Sequence, residues 1–187
     1  MTKFARLALA LAAAPLAACA GQPVISHGHV VEYYEPQMLG YPASKGGMYT
    51  EVTGNPFQGE KAALDRQVTE AFEVAHFGPK LAFFTEKPTD YSPAYRTIVL
   101  FNPAPNANAE RLCSSPDRPQ APRAAGEVGV MAALCSSESR LTSASGYVTG
   151  AQGPDDPAVG GLLRNLGLSL FPPAPGVRRD DTDIIVP

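Results

Sequence analysis

The first 19 residues constrain this chain more than any other segment, because they predict the compartment in which the remainder must fold. Lys3 and Arg6 form a short basic start, and an apolar run occupies residues 7–18. A basic start, a short apolar run and small residues before a cleavage point are typical of a secretory signal. The run is shorter than the roughly 20 apolar residues that span a bilayer, and Pro15 interrupts it. The sequence therefore predicts a signal peptide over residues 1–18.

The end of this run, Leu16-Ala17-Ala18-Cys19, resembles the lipobox of bacterial lipoproteins. The resemblance implies that Cys19 becomes the first residue of the mature chain and is lipid-modified on its sulfur and on its amine. Acyl burial worth about 0.8 kcal/mol per CH₂ then anchors the protein to the membrane without a spanning helix. The residue after Cys19 is Ala20. An Asp at this position commonly retains such proteins in the inner membrane of enteric bacteria, so we expect this protein to lie at the periplasmic face of the outer membrane. The alternative is an ordinary signal peptide with a coincidental cysteine.

Charge excludes one class of partner. The chain has 15 basic and 18 acidic residues, and two of the basic ones, Lys3 and Arg6, lie in the signal segment. The mature chain is therefore more acidic than the formal net charge of −3. An acidic domain gains no attraction to phosphate backbones, so we expect no nucleic-acid partner.

Two cysteines remain once Cys19 carries lipid, and they predict a disulfide between Cys113 and Cys135. An even number of cysteines in an exported protein is read as a bridge because the envelope is oxidising. The closed loop of about 20 residues predicts a contribution of about 3 kcal/mol to stability. The alternative is a catalytic or redox thiol, but neither cysteine lies in a C-x-x-C motif or beside a His or Lys that would lower its pKa.

The clearest helix pattern lies between residues 55 and 78. Asn55 and Pro56 are typical of a helix start, and Gly78-Pro79 is a typical stop. His76 falls in the last turn, where a partial positive charge suits the helix dipole, so a structural role is favoured over catalysis. Apolar residues recur between these limits at helical spacing, namely at Leu64, Val68, Ala71, Phe72 and Ala75.

A second helix is predicted to begin at Asp156-Pro157, because an acidic cap followed by proline is a typical start. Three glycines weaken it by about 1 kcal/mol each relative to alanine, so packing must hold it. Its apolar face consists of Val159, Leu162, Leu163, Leu166 and Leu170. Runs rich in β-branched and aromatic residues predict strands over residues 48–53, 81–85, 95–101, 127–135 and 140–148, with a short edge strand over 30–34 as an option.

This order of elements predicts an α+β fold, an antiparallel sheet of about four to five strands with two amphipathic helices packed on one face. Nineteen prolines and 17 glycines predict a loop-rich outline. The expected organisation is a signal peptide over 1–18, a flexible tether over 19–46, one domain over 47–171 and a proline-rich, charged tail over 172–187. The layout, the Gly54-Asn55-Pro56-Phe57 turn and the paired late cysteines resemble small lipoproteins of Gram-negative, especially alphaproteobacterial, bacteria. That resemblance implies no particular activity.

The sequence predicts no catalytic, cofactor-binding or metal-binding residues. His27-Gly28-His29 lacks a third ligand nearby and is read as part of a solvated linker. The aspartates at 155–156 and 180–183 lack EF-hand spacing and are read as a helix cap and a charged tail. The chain has no G-x-S-x-G or S-x-x-K motif and no glycine-rich phosphate-binding motif.

The function predicted from these features is that of a lipid-anchored envelope protein, a non-enzymatic accessory or scaffold subunit that binds another envelope protein. Aromatic and apolar residues in the proline-flanked end segments are the material that pairs with a partner's sheet edge or groove. The alternative for those segments is that they cover this domain's own sheet. The alternative functions are a small periplasmic hydrolase and a carrier of an apolar ligand.

Overall fold

The computed structural model describes residues 21–59, 61–87 and 94–173. Within these residues six strands form one sheet, accompanied by three α-helices and two 3-10 turns. The strands are β1 Val24–Val30, β2 Met48–Thr53, β3 Phe83–Phe84, β4 Tyr95–Phe101, β5 Val128–Ser136 and β6 Ser139–Val148. The helices are α1 Gly40–Ser44, α2 Lys61–Val74 and α3 Pro157–Leu170, and the 3-10 turns are Pro36–Leu39 and Ala109–Leu112. The predicted α+β class is confirmed.

The sheet is mixed, and the prediction of a purely antiparallel sheet is wrong. The strand order is β1-β6-β5-β4-β2-β3. The neighbouring strands β1, β6, β5 and β4 are antiparallel to one another in turn. β2 runs parallel to β4, and β3 runs parallel to β2. The parallel pair arises because α2 lies between β2 and β4, and parallel neighbours need such a crossover. The prediction of four to five strands and two helices is also too low for the described residues.

The two long helices share one face of the sheet, as predicted. Because side chains alternate across a strand, β4 contributes side chains to two separate hydrophobic clusters, one on each face of the sheet. Val99 and Phe101 belong to the main core, which α2 and α3 complete with their apolar stripes. Ile98 and Leu100 point to the opposite face and pack in a smaller cluster with Leu112 of the second 3-10 turn. That opposite face is called the open face below.

The start of α2 differs from the prediction. The Asn55 side chain accepts a hydrogen bond from the Phe57 N–H at 3.0 Å and donates one to the Gly59 carbonyl at 2.9 Å. Asn55 therefore closes a local turn, and the helix is assigned only from Lys61 onward. Such a turn uses the same asparagine chemistry as a helix cap, which explains why the sequence did not separate the two.

The tether predicted over residues 19–46 is wrong for its described part. β1 pairs with β6 from Val24 to Val30, and the side chains of Tyr34 and Leu39 are fully buried in the main core. The optional edge strand over 30–34 thus lies earlier in the chain. Gly28 and a register shift between Ile25 and His27 interrupt the alternation that a regular strand would show. The signal segment, Cys19 and residues 174–187 of the predicted tail lie outside the described residues.

Close contacts through glycine join α2 and α3, which run side by side in the same direction. Gly160 lies near Gln67, and one helical stretch further on Gly167 lies against Ala75. A Cβ built on Gly167 would stand only 2.8 Å from the Ala75 Cβ. The glycines that weaken α3 by intrinsic propensity therefore include one that lets the helices approach.

Candidate functional site

A polar cleft of about 640 Å³ opens on the open face, where β2 and β4 meet a loop and a hairpin turn. Its floor comes from β2 and β4, and its walls come from the loop after the second 3-10 turn, the β5–β6 turn and the segment after β3. The residues that line it are Tyr49, Glu51, Lys87, Arg96, Cys113, Ser114, Ser115, Pro116, Arg118, Ser137 and Glu138. This set is called the polar cleft below.

The floor of the cleft follows from the pleat of the two parallel strands. Tyr49 pairs with Arg96 and, two residues on, Glu51 pairs with Ile98, so these side chains share the open face. Burial raises the pKa of the Tyr49 hydroxyl, the Glu51 carboxylate raises it further, and Arg96 opposes both. The hydroxyl therefore stays protonated at neutral pH. The Tyr49 ring also packs against Phe84, with 6.2 Å between ring centroids.

Arg96 connects two of the three wall segments, the β5–β6 turn and the loop after the second 3-10 turn. Its Nη1 donates a hydrogen bond to the Ser137 carbonyl at 2.8 Å, and its Nη2 donates one to the Cys113 carbonyl at 2.7 Å. A guanidinium offers several donors in a fixed planar fork, so one side chain on β4 can hold two backbone segments at once. Arg96 thus positions the site rather than offering both its amino groups to a ligand.

The disulfide holds the wall formed by the loop after the second 3-10 turn. Cys113 and Cys135 are bonded in the structure, as the sequence predicts, and the bridge joins the end of the second 3-10 turn to β5. Both cysteines are buried in the open-face cluster with Leu112. The loop that follows Cys113 is therefore fixed at its start by a covalent bond and by the hydrogen bond from Arg96.

Arg118 is the most unusual side chain of the cleft, because only 9% of it is exposed. Its Nη1 donates hydrogen bonds to the carbonyls of Ser115 and Asp117, which orient the guanidinium. Its Nη2 lies 3.4 Å from a carboxylate oxygen of Glu51. Its Nε is buried and has no hydrogen-bond partner. Arg118 is thus a held cation whose donors are only partly used.

The charged side chains of the cleft are suited to binding a polar ligand. Three cationic side chains, those of Lys87, Arg96 and Arg118, face the carboxylates of Glu51 and Glu138. Serine hydroxyls also line it, but none of the described lining residues is a histidine, the usual base that activates serine. Opposite charges around a polar floor are groups that bind a polar ligand and fix its orientation.

Of the histidines and aspartates weighed from the sequence, His27, His29, His76, Asp155 and Asp156 lie within the described residues. His27 and His29 lie in β1, and the described residues contain no group of three metal-ligating side chains. Asp156 caps α3 as predicted, accepting from the Ala158 N–H at 2.9 Å. His76 follows α2, with its ring nitrogens each 3.1 Å from a carbonyl oxygen, of Phe72 and of Pro79.

A second surface of interest is the edge formed by β1. β1 pairs with β6 on one side and is an outermost strand of the described sheet. None of its residues is fully buried, and its sequence contains no charged residue and no proline. This edge lies at the opposite side of the sheet from β2 and β3.

Comparison of the chain with protein-family models, with curated proteins and with solved structures finds no match. Among the helices of the described ranges, none has the length and apolar character that crossing a bilayer requires. The fold, the polar cleft and the β1 edge are therefore the observations on which a function is proposed.

Proposed function

We propose that the protein is a lipid-anchored, non-enzymatic component of the cell envelope that binds another envelope protein through strand β1. Cys19 is the proposed site of the anchor, at the periplasmic face of the outer membrane. The Cys113–Cys135 disulfide supports an oxidising compartment of this kind, because such bonds are rare in reducing ones.

The observation that carries the proposal is the uncharged outer strand. A strand at a sheet edge presents unpaired backbone groups, and natural proteins usually protect such edges with charge, proline, very short length or a bulge. β1 has seven residues and neither of the first two protections. An extended segment of a partner can add to such an edge through backbone hydrogen bonds. β1 carries one register shift, between Ile25 and His27, and its pairing with β6 is regular from His27 to Val30.

The test places a photo-crosslinking residue at His27 in β1 and, separately, at Leu168, which is exposed on α3. We expect a defined crosslinked product of one size from His27 in intact cells and none from Leu168. The product should disappear when Val24 is replaced by Lys, because an added charge protects an edge strand. The matched control, Val74→Lys at a site that is 69% exposed near the end of α2, should leave the product unchanged.

Two results would contradict the proposal. Equal crosslinking from the two positions would mean that contact with the partner is not confined to β1. Loss of the product in the Val74→Lys control as well would mean that charge alone, and not its position on the edge, determines the result. Thermal melting of both lysine variants checks that they are folded.

A further inference from the structure

We propose that the polar cleft binds a small zwitterionic ligand, a free amino acid or a short peptide. Arg118 and Lys87 would take its carboxylate, and Glu51 and Glu138 its ammonium group. This inference is independent of the proposed docking at β1, because the cleft is built from strands at the other side of the sheet.

The state of Arg118 points to a carboxylate. A buried guanidinium is favourable only when its donors are paired, since an unpaired buried polar group carries a desolvation cost. Hydrogen bonds from backbone carbonyls fix its orientation, but the 3.4 Å separation from Glu51 exceeds the 2.7–2.9 Å typical of a charged hydrogen bond. A ligand carboxylate at Nη2 would give this nitrogen the close charged hydrogen bond that Glu51 does not supply.

The carboxylates in the cleft act against a ligand that carries only negative charge. Glu51 is 35% exposed and stands beside Arg118, so a plain anion placed at Arg118 would be repelled by it. A ligand that also carries an ammonium group reverses this repulsion, because Glu51 and the exposed Glu138 then face a cation. The two signs of charge in one cleft therefore match a ligand that has both.

The size and rigidity of the cleft fit a small ligand. Its volume of about 640 Å³ lies within the 300–1,000 Å³ typical of small-molecule sites. The disulfide at Cys113 and the two hydrogen bonds from Arg96 fix two of its wall segments, the loop after Cys113 and the β5–β6 turn, before a ligand arrives.

The test uses the dipeptide alanyl-alanine as the probe, titrated into the folded chain without its signal peptide and followed by amide NMR shifts. We expect saturable shifts at cleft residues and none along β1. The N-acetylated and the C-amidated dipeptides each lack one charge. Each should bind about tenfold more weakly or worse, because a hydrogen bond to a charged group contributes roughly that factor.

Matched variants assign the two ends of the ligand. Arg118→Gln should weaken binding of alanyl-alanine about tenfold and leave the C-amidated dipeptide unaffected, and Glu51→Gln should do the same with the N-acetylated dipeptide. Because Arg118 is nearly buried, the exposed Lys87→Gln and Glu138→Gln variants repeat each comparison without a risk to the fold. Three results would each overturn the proposal. The first is no saturable shift at 20-fold excess of alanyl-alanine over a millimolar protein sample, and the second is binding of the capped dipeptides as tight as that of alanyl-alanine. The third is shifts confined to another surface.

Discussion

The contact between α2 and α3 predicts that two identical substitutions in one helix change stability in opposite directions. A Cβ at Gly160 would meet only the Gln67 Oε1, at 3.8 Å, which is an ordinary contact. A Cβ at Gly167 would stand 2.8 Å from the Ala75 Cβ and 3.1 Å from a ring carbon of Phe72. Gly160→Ala should therefore stabilise the protein, whereas Gly167→Ala should destabilise it.

The magnitudes follow from propensity and overpacking. Glycine in a helix interior is about 0.8–1.0 kcal/mol less favourable than alanine, so Gly160→Ala should raise the free energy of unfolding by up to about 1 kcal/mol. For a domain of this size that is an increase of roughly 2–4 °C in Tm. Gly167→Ala gains the same propensity but adds an overpacking cost of about 1–3 kcal/mol in a filled core. The net expectation is a loss of up to about 2 kcal/mol.

Calorimetry and urea unfolding of both variants measure these changes, and a third substitution identifies their cause. Ala75→Gly removes the methyl group that the new Cβ meets, so the Gly167→Ala/Ala75→Gly double variant should recover about 1 kcal/mol relative to the sum of the single changes. If Gly160→Ala and Gly167→Ala stabilise equally, or if Ala75→Gly does not relieve Gly167→Ala, the close approach of the helices is refuted.

Four further predictions concern other parts of the chain. Cys19→Ser should abolish labelling by a fatty-acid analogue and leave an unprocessed precursor; unchanged labelling would contradict the proposed anchor. Replacing Cys113 and Cys135 together by Ala should cost about 3 kcal/mol and lower Tm by roughly 6–12 °C, measured by calorimetry, with the oxidised wild type as reference. Asp156→Ala should cost about 1 kcal/mol through loss of the α3 cap, and a loss below 0.3 kcal/mol in urea unfolding would exclude that role. Burial raises the pKa of Tyr34 to about 12, so stability present below pH 10 should fall as the pH rises to 12, and Tyr34→Phe should reduce this dependence in alkaline melts and leave the part due to Tyr49, whose pKa is also raised.

Local patterns predicted those elements whose signal lies within one segment. The apolar stripe of α2, the strands β5 and β6 and the Asp156 cap each depend on residues that are neighbours in sequence, and the structure confirms them. The disulfide was predictable because Cys113 and Cys135 are the two cysteines left after Cys19. The end of α2 before Gly78 was also predictable, since glycine there has a φ of 119° that other residues rarely adopt.

Features that depend on long-range arrangement were missed. The direction of β2 relative to β4 depends on the path of the intervening helix. The residues of a strand do not by themselves predict whether it runs parallel or antiparallel to its neighbour. The sequence predicts a tether where β1 lies, because Gly28 and the register shift hide the alternation of a strand. The polar cleft brings together Glu51, Arg96 and Arg118 from well-separated segments, each of which reads as an ordinary surface charge when taken alone.

The arrangement of the strands sets the distance between the start of β1 and the polar cleft. Val24, the first residue of β1, pairs with Tyr147, whereas the cleft lies at the far end of β6 beside the turn at Ser137. Eight residue steps of β6 at about 3.4 Å each separate these ends by about 27 Å. Only four residues separate Cys19 from Val24, a lead of at most about 18 Å. A lipid on Cys19 would thus hold the Val24 end of the sheet within about 18 Å of the modified cysteine and leave the cleft at the opposite end of the strands.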